Sequence, residues 1–158
     1  MFDTFFGLPV HPLIVHATEV VVPTAALLLL LAAFWPRFRR WAKLLPLGLS
    51  LAALVLVPLS TESGEALEER VIGSALIETH ADLAEGLLPW VILMVLVAAV
   101  LFLWNLKKTP TTRAPNWVAL VIAVAALGAS SGTMVQAVLI GHSGATAVWS
   151  EDMGIPAR

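Results

Sequence analysis

No cysteine occurs among the 158 residues. A disulfide, a thiolate zinc centre, a Cys-ligated iron–sulfur cluster and a c-type haem attached through Cys-x-x-Cys-His are therefore all excluded. Charge is scarce as well. Only 13% of residues are Asp, Glu, Lys or Arg, against 59% hydrophobic, whereas a soluble domain carries about a quarter charged and under half apolar. No phosphate-cradling Gly-rich loop and no His-Glu-x-x-His pair is present, and the basic residues make short turns rather than a nucleic-acid surface. With a mean hydropathy of +0.90, the chain reads as a small integral membrane protein, one domain over residues 1–158 in contact with the lipid bilayer.

The apolar residues arrive in four blocks, 13–34, 44–59, 87–106 and 117–140. Each is near the ~20 residues that a helix needs to cross ~30 Å of hydrocarbon. The unbroken run Leu27 to Leu31 is incompatible with the alternation of a membrane barrel. The expected fold is all-α: an integral membrane four-helix bundle of up-down-up-down topology, with an outer loop over 60–86. The first block has no basic residue before it and arginines after it, so it reads as a retained span rather than a signal peptide. Arg37, Arg39, Arg40, Lys43, Lys107, Lys108 and Arg113 fall in the two connectors that the positive-inside rule makes cytoplasmic. All eleven acids fall on the opposite side or just inside its edge, joined by Arg70 and Arg158. Both termini are therefore expected outside, and a lone copy has too few intramembrane polar residues to line a pore.

Within the outer loop, Leu76, His80, Leu83 and Leu87 share about 60° of helical arc, while Glu78, Asp82 and Glu85 point away. This predicts an amphipathic extension ahead of the third span. The stretch Thr61-Glu62-Ser63-Gly64 reads as a turn leaving the second span, with Ser63 capping a helix through Val71, and Gly73-Ser74 as the break that follows. No internal repeat is visible.

The four histidines, His11, His16, His80 and His142, all fall at the outer edge. His11 and His16 open the first span, with Pro12 in its first turn. His80 lies on the apolar stripe of the extension, and His142 closes the fourth helix. With the first and third helices diagonal and the fourth touching both, His16, His80 and His142 can converge in one layer. His11 lies about 140° around the helix from His16. Glu19, one turn below His16, is the carboxylate inside a span, suited to ligate a metal, accept a proton or orient an imidazole. Amphipathic capping by the histidines and snorkelling by Glu19 are the plainer explanations. Gly128, Ser130, Ser131, Gly132 and Thr133 either allow close helix packing or leave room beneath His142 for a flat macrocycle, and Gln136 suits an interhelical hydrogen bond.

The segments Gly7-Leu8-Pro9-Val10-His11-Pro12-Leu13-Ile14-Val15-His16, Thr61-Glu62-Ser63-Gly64-Glu65-Ala66-Leu67-Glu68-Glu69-Arg70-Val71, His80, Gly141-His142-Ser143-Gly144-Ala145 and Val148-Trp149 together resemble a family of small four-helix bacterial membrane proteins of unknown function. The resemblance covers nearly the whole chain. It implies a multi-pass protein of the bacterial inner (plasma) membrane, with a haem or redox role as the expectation. Many members carry an aromatic-proline pair after the second histidine, whereas Ala17-Thr18 follow His16 here and proline waits until Pro23.

The leading expectation is a b-type haem held by histidines near the outer face, passing single electrons between a membrane donor such as quinol and an external redox partner. His16 and His80 are the expected axial pair, with His142 as substitute or as a partner to a propionate. A second reading is a copper, zinc or iron ion bound by His16, His80, His142 and Glu19. A third is a cofactor-free subunit of a larger membrane complex or homo-oligomer. The acidic residues from Glu62 to Glu85 offer docking to a basic partner, or are simply solvated.

Overall fold

The computed structural model describes residues 4–107 and 116–149. The connector expected between the third and fourth spans, with Lys108 and Arg113, lies outside the described residues, as do Asp3, Glu151, Asp152 and Arg158. The described chain is helical apart from one small hairpin, in which β1 (Thr4–Phe5) pairs antiparallel with β2 (Leu8–Pro9) in the register Thr4 to Pro9 and Phe5 to Leu8. Its two-residue turn has positive φ at both Phe6 (50°) and Gly7 (81°), the handedness that matches strand twist in a tight hairpin.

Six helices follow: α1 (His11–Phe34), α2 (Pro36–Ala42), α3 (Leu45–Glu68), α4 (Ala75–Glu85), α5 (Leu87–Lys107) and α6 (Asn116–Trp149). Four spans, His11–Phe34, Leu45–Glu68, Ala75–Leu106 and Trp117–Trp149, are long and apolar enough to cross a membrane. Their apolar residues run all the way round, as expected of helices solvated by lipid. Exposed Val20, Leu27, Val55, Leu96, Leu120 and Val138 give each span an outward hydrophobic face. Along the bundle, α1 packs on α3 and α6, and α5 packs on the same two helices, so α1 and α5 stand diagonally.

Inside the bundle small residues dominate. Ala25, Ala26, Ala53, Ala126 and Ala129 are all fully buried, beside Val22, Leu29, Val91 and Met94. Lipid tails are as apolar as leucine, so helices associate through close packing and hydrogen bonds rather than hydrophobic exclusion, and small side chains let the backbones approach. Polar groups in the core, Ser130 apart, are satisfied locally. Ser50 and Thr133 donate to the carbonyls four residues back, of Pro46 and Ala129, and Thr18 does the same to Ile14 while also meeting Ser60 Oγ of α3 at 2.7 Å.

Three elements differ from the sequence expectation. The turn expected at Thr61-Glu62-Ser63-Gly64 is absent: α3 continues through it to Glu68. The fourth helix does not close at His142, because α6 runs on to Trp149. The basic connector is itself a short helix, α2, with Phe38 stacked on Trp35 at 6.2 Å and tilted against Trp41 at 5.7 Å; Lys43, at φ 43°, then reverses the chain into α3. The amphipathic extension is found as α4, with Glu78 and Asp82 outward and Ser74 as its N-cap, accepting from Ile77 N–H at 3.3 Å. Its far end is held by Gln136 of α6, whose Nε2 donates to the Leu83 carbonyl at 2.6 Å.

Candidate functional site

The start of α1, the end of α3, α4 and the end of α6 enclose a cavity of about 510 Å³ at one end of the bundle. That is within the ~300–1,000 Å³ of small-molecule and cofactor sites. Its walls are mainly aliphatic, with Val15, Leu67, Ile77, Ile140 and Val148 among them. Three histidines line it, His11 and His16 from α1 and His80 from α4, together with Glu19, Glu65, Glu68 and Glu85.

The imidazoles are anchored through the same ring atom. His11 Nδ1 lies 3.1 Å from the Ser60 carbonyl and 3.1 Å from Ser63 Oγ, both on α3. His16 Nδ1 bonds the Pro12 carbonyl one turn back on its own helix. His80 Nδ1 lies 3.0 Å from Ser143 Oγ of α6. A carbonyl only accepts, so His11 and His16 donate from Nδ1, and the neutral ring then carries its lone pair on Nε2. Among the described residues no hydrogen bond reaches the Nε2 atom of His11, His16 or His80. Anchoring at one nitrogen while the other is left open is the arrangement of metal-ligating histidines.

Two glycines make the close approach of rings to helices feasible. A Cβ on Gly64 would lie 3.1 Å from His11 Cε1, and one on Gly144 would lie 3.0 Å from His80 Cε1. This is why α3 passes unbroken through Gly64 and α6 through Gly144: each glycine is a seat for an imidazole rather than a helix stop.

His142 is not brought into this group. It is exposed and does not line the cavity. Because α6 does not end there, the wall is formed by Gly141, Gly144, Ala145 and Val148, the i, i+3, i+4, i+7 face, and His142 falls about 100° away from Gly141. The set His16, His80, His142 and Glu19 is consequently not assembled, and among the described residues no three His, Asp or Glu side chains come together in a way that could hold a metal ion. Of the small residues of α6, Gly132 is covered by the Trp90 ring, which rests against the helix there. Gly128, Ser130 and Gly132 have the Gly-x-Ser-x-Gly spacing of a nucleophile elbow. They lie mid-helix, however, and Ser130 Oγ is buried with no hydrogen-bond partner, so no activated serine results.

A sequence profile described as predicted membrane protein (DUF2231) matches residues 7–157. The chain belongs to this family. The match opens at Gly7, the turn glycine of the hairpin, and takes in every span and every residue of the cavity wall. No curated protein and no solved structure matches the chain. Family membership supports a multi-pass membrane protein and carries no activity.

Sequence reasoning missed Ser60, Ser63 and Ser143 as histidine partners and Gly64 and Gly144 as their seats. The signal was in the chain, since Ser63-Gly64 and Ser143-Gly144 are both Ser-Gly pairs at corresponding places in the two halves. Imidazoles from separate helices that line one largely apolar cavity, with no hydrogen bond at Nε2 among the described residues, are the kind of donors that non-covalent axial ligation of a haem uses.

Proposed function

We propose that the cavity binds a b-type haem, held by histidines of α1 and α4, and that the protein passes single electrons at the outer face of the bacterial inner membrane. The observation that carries this reading is a mainly aliphatic cavity of about 510 Å³ lined by imidazoles from two helices, each anchored at Nδ1; haem iron takes one or two such side chains. Haem bound here would supply one-electron redox chemistry.

The chain's own residues provide the rest. Val15, Leu67, Ile77 and Val148 give the cavity aliphatic walls against which an apolar macrocycle would pack. Ser60, Ser63, Ser143 and the Pro12 carbonyl set how the imidazoles face. Glu19 lines the same cavity three residues beyond His16, where its carboxylate oxygens are placed to take protons given up by a quinol arriving from the bilayer. The positive-inside rule, applied to Arg37, Arg39, Arg40 and Lys43 at the opposite end of α1, puts the cavity on the periplasmic or exterior side, with both termini outside.

The test is an absorption spectrum of the detergent-purified protein, as isolated and after dithionite, with metal content measured on the same sample. A Soret band that shifts on reduction, with a sharp α-band that His80→Ala abolishes, is the expected result. A featureless spectrum with stoichiometric copper, zinc or iron would overturn the haem in favour of a bare metal. Neither signal, even after added hemin, would leave a scaffold subunit.

A further inference from the structure

The two halves of the chain build the cavity with the same device. In the first, His11 heads α1 and its Nδ1 meets Ser63 Oγ near the tail of α3 at 3.1 Å, while the Ser63 hydroxyl donates to the Ser60 carbonyl at 3.0 Å. In the second, His80 of α4 meets Ser143 Oγ near the tail of α6 at 3.0 Å, while the Ser143 hydroxyl donates to the Ile140 carbonyl at 2.9 Å. Each serine is followed by the glycine on which the imidazole edge rests, with matching approaches of 3.1 and 3.0 Å. The order is the same in both halves, histidine on the leading helix and then Ser-Gly on the returning one, so the structure contains a repeat that residue-by-residue similarity does not display.

The device has a chemical consequence. A serine has one hydroxyl proton, and here it is committed to the carbonyl three residues back. Its oxygen then has only lone pairs to offer, so the imidazole must be the donor. His80 is thereby held with its proton on Nδ1, just as His11 is. His16 lines the same cavity but has no serine, bonding only to its own helix. His11 and His80 line the same cavity from the walls of α1 and α4.

We infer that His11 and His80, rather than His16 and His80, are the equivalent ligand pair. Ser143 for His80, and the Ser60 carbonyl together with Ser63 for His11, act as the positioning groups that keep both Nε2 lone pairs open to one ligand, a planar metal chelate with two open positions. The ligand class rests on the haem reading above; the tautomers do not.

The experiment that separates them is nitrogen-15 NMR of histidine-labelled protein in detergent micelles, at a pH where the rings are neutral, followed by a hemin titration of the same samples. Expected in the wild-type protein is the Nδ1–H form for both His11 and His80. Ser143→Ala should move His80 to the Nε2–H form that free imidazole prefers, and Ser143→Thr should restore it. Ser63→Ala should leave His11 as Nδ1–H, because the Ser60 carbonyl still accepts from it. With hemin, His11→Ala and His80→Ala should each lose the six-coordinate spectrum, and His16→Ala should keep it. An Nε2–H form of either ring in the wild-type protein overturns the pair whether or not the variants fold. So does a hemin spectrum lost in His16→Ala and kept in His11→Ala, which would leave the haem reading standing. Failure of hemin to bind at all, with the tautomers as stated, overturns the haem and retains the matched pair.

Discussion

Replacing Gly132 with alanine should force α5 and α6 apart. The added Cβ would lie 2.6 Å from Cδ2 of Trp90 and nearer still to its Cε3 and Cζ3. Comfortable carbon–carbon contact begins at about 3.5 Å, so a rigid indole has to retreat by roughly 1 Å or more. The indole has no flexible tip to give way; Trp90 is 37% exposed and takes up part of the retreat outward, and through its fully buried neighbour Val91 the rest is transmitted to the helix seam. Overpacking of this kind costs about 1–3 kcal/mol, set against about 1 kcal/mol gained by placing alanine instead of glycine in a helix. Gly128→Ala and Gly141→Ala are the controls, because a Cβ at either position meets nothing within 4 Å, and both should gain up to ~1 kcal/mol. Thermal or SDS unfolding in micelles, followed by tryptophan emission, measures the difference. If Gly132→Ala unfolds alongside Gly128→Ala, the packing of Trp90 into α6 described here is wrong.

Three further outcomes follow from other contacts. Gln136→Leu removes the hydrogen bond to the Leu83 carbonyl, at a cost of about 1 kcal/mol, and should raise amide exchange across 75–85 well above that of α5, read by mass spectrometry. Thr18→Val deletes the 2.7 Å contact with Ser60 and the bond to the Ile14 carbonyl of its own helix and should cost about 0.6 kcal/mol, at most ~1.7, in SDS unfolding; a larger loss would mean the interhelical contact is not the weak membrane hydrogen bond assumed. His142→Ala should leave any haem or metal spectrum unaltered, since the side chain is exposed and outside the cavity, and a spectral change would return His142 to the ligand set.

The spans were legible because lipid demands long apolar runs, and four are present. Ser74 and the amphipathic face through His80 were legible because α4 obeys the rules of a helix at a water boundary. The ends of α3 and α6 were not. Ser-Gly reads as a helix stop because, in water, glycine exposes backbone and costs about 1 kcal/mol. Where an imidazole from another helix lies against the glycine, as at Gly64 and Gly144, that penalty is set against a close contact that alanine would crowd. Misplacing those two helix ends also misplaced His142, since the facing of α6 beyond Ile140 depends on its continuing. His11, left out of the expected axial pair, is the first residue of α1 and is anchored to α3 by two contacts, which only the long course of α3 makes available.

The length of α6 bears on how the protein is assembled. At 34 residues it extends about 51 Å, and its part of the cavity wall begins at Ile140, about 36 Å from Asn116. Counted from Asn116, a hydrocarbon layer of ~30 Å is exhausted by then, which sets this part of the wall at headgroup level when the helix enters the hydrocarbon at its start. On the haem reading proposed above, the group would accordingly be delivered from the aqueous phase after the chain has left the insertion machinery and folded, with no need for it to be threaded in between nascent helices. The same geometry predicts that protein made without haem supply would take up hemin afterwards, in the cuvette.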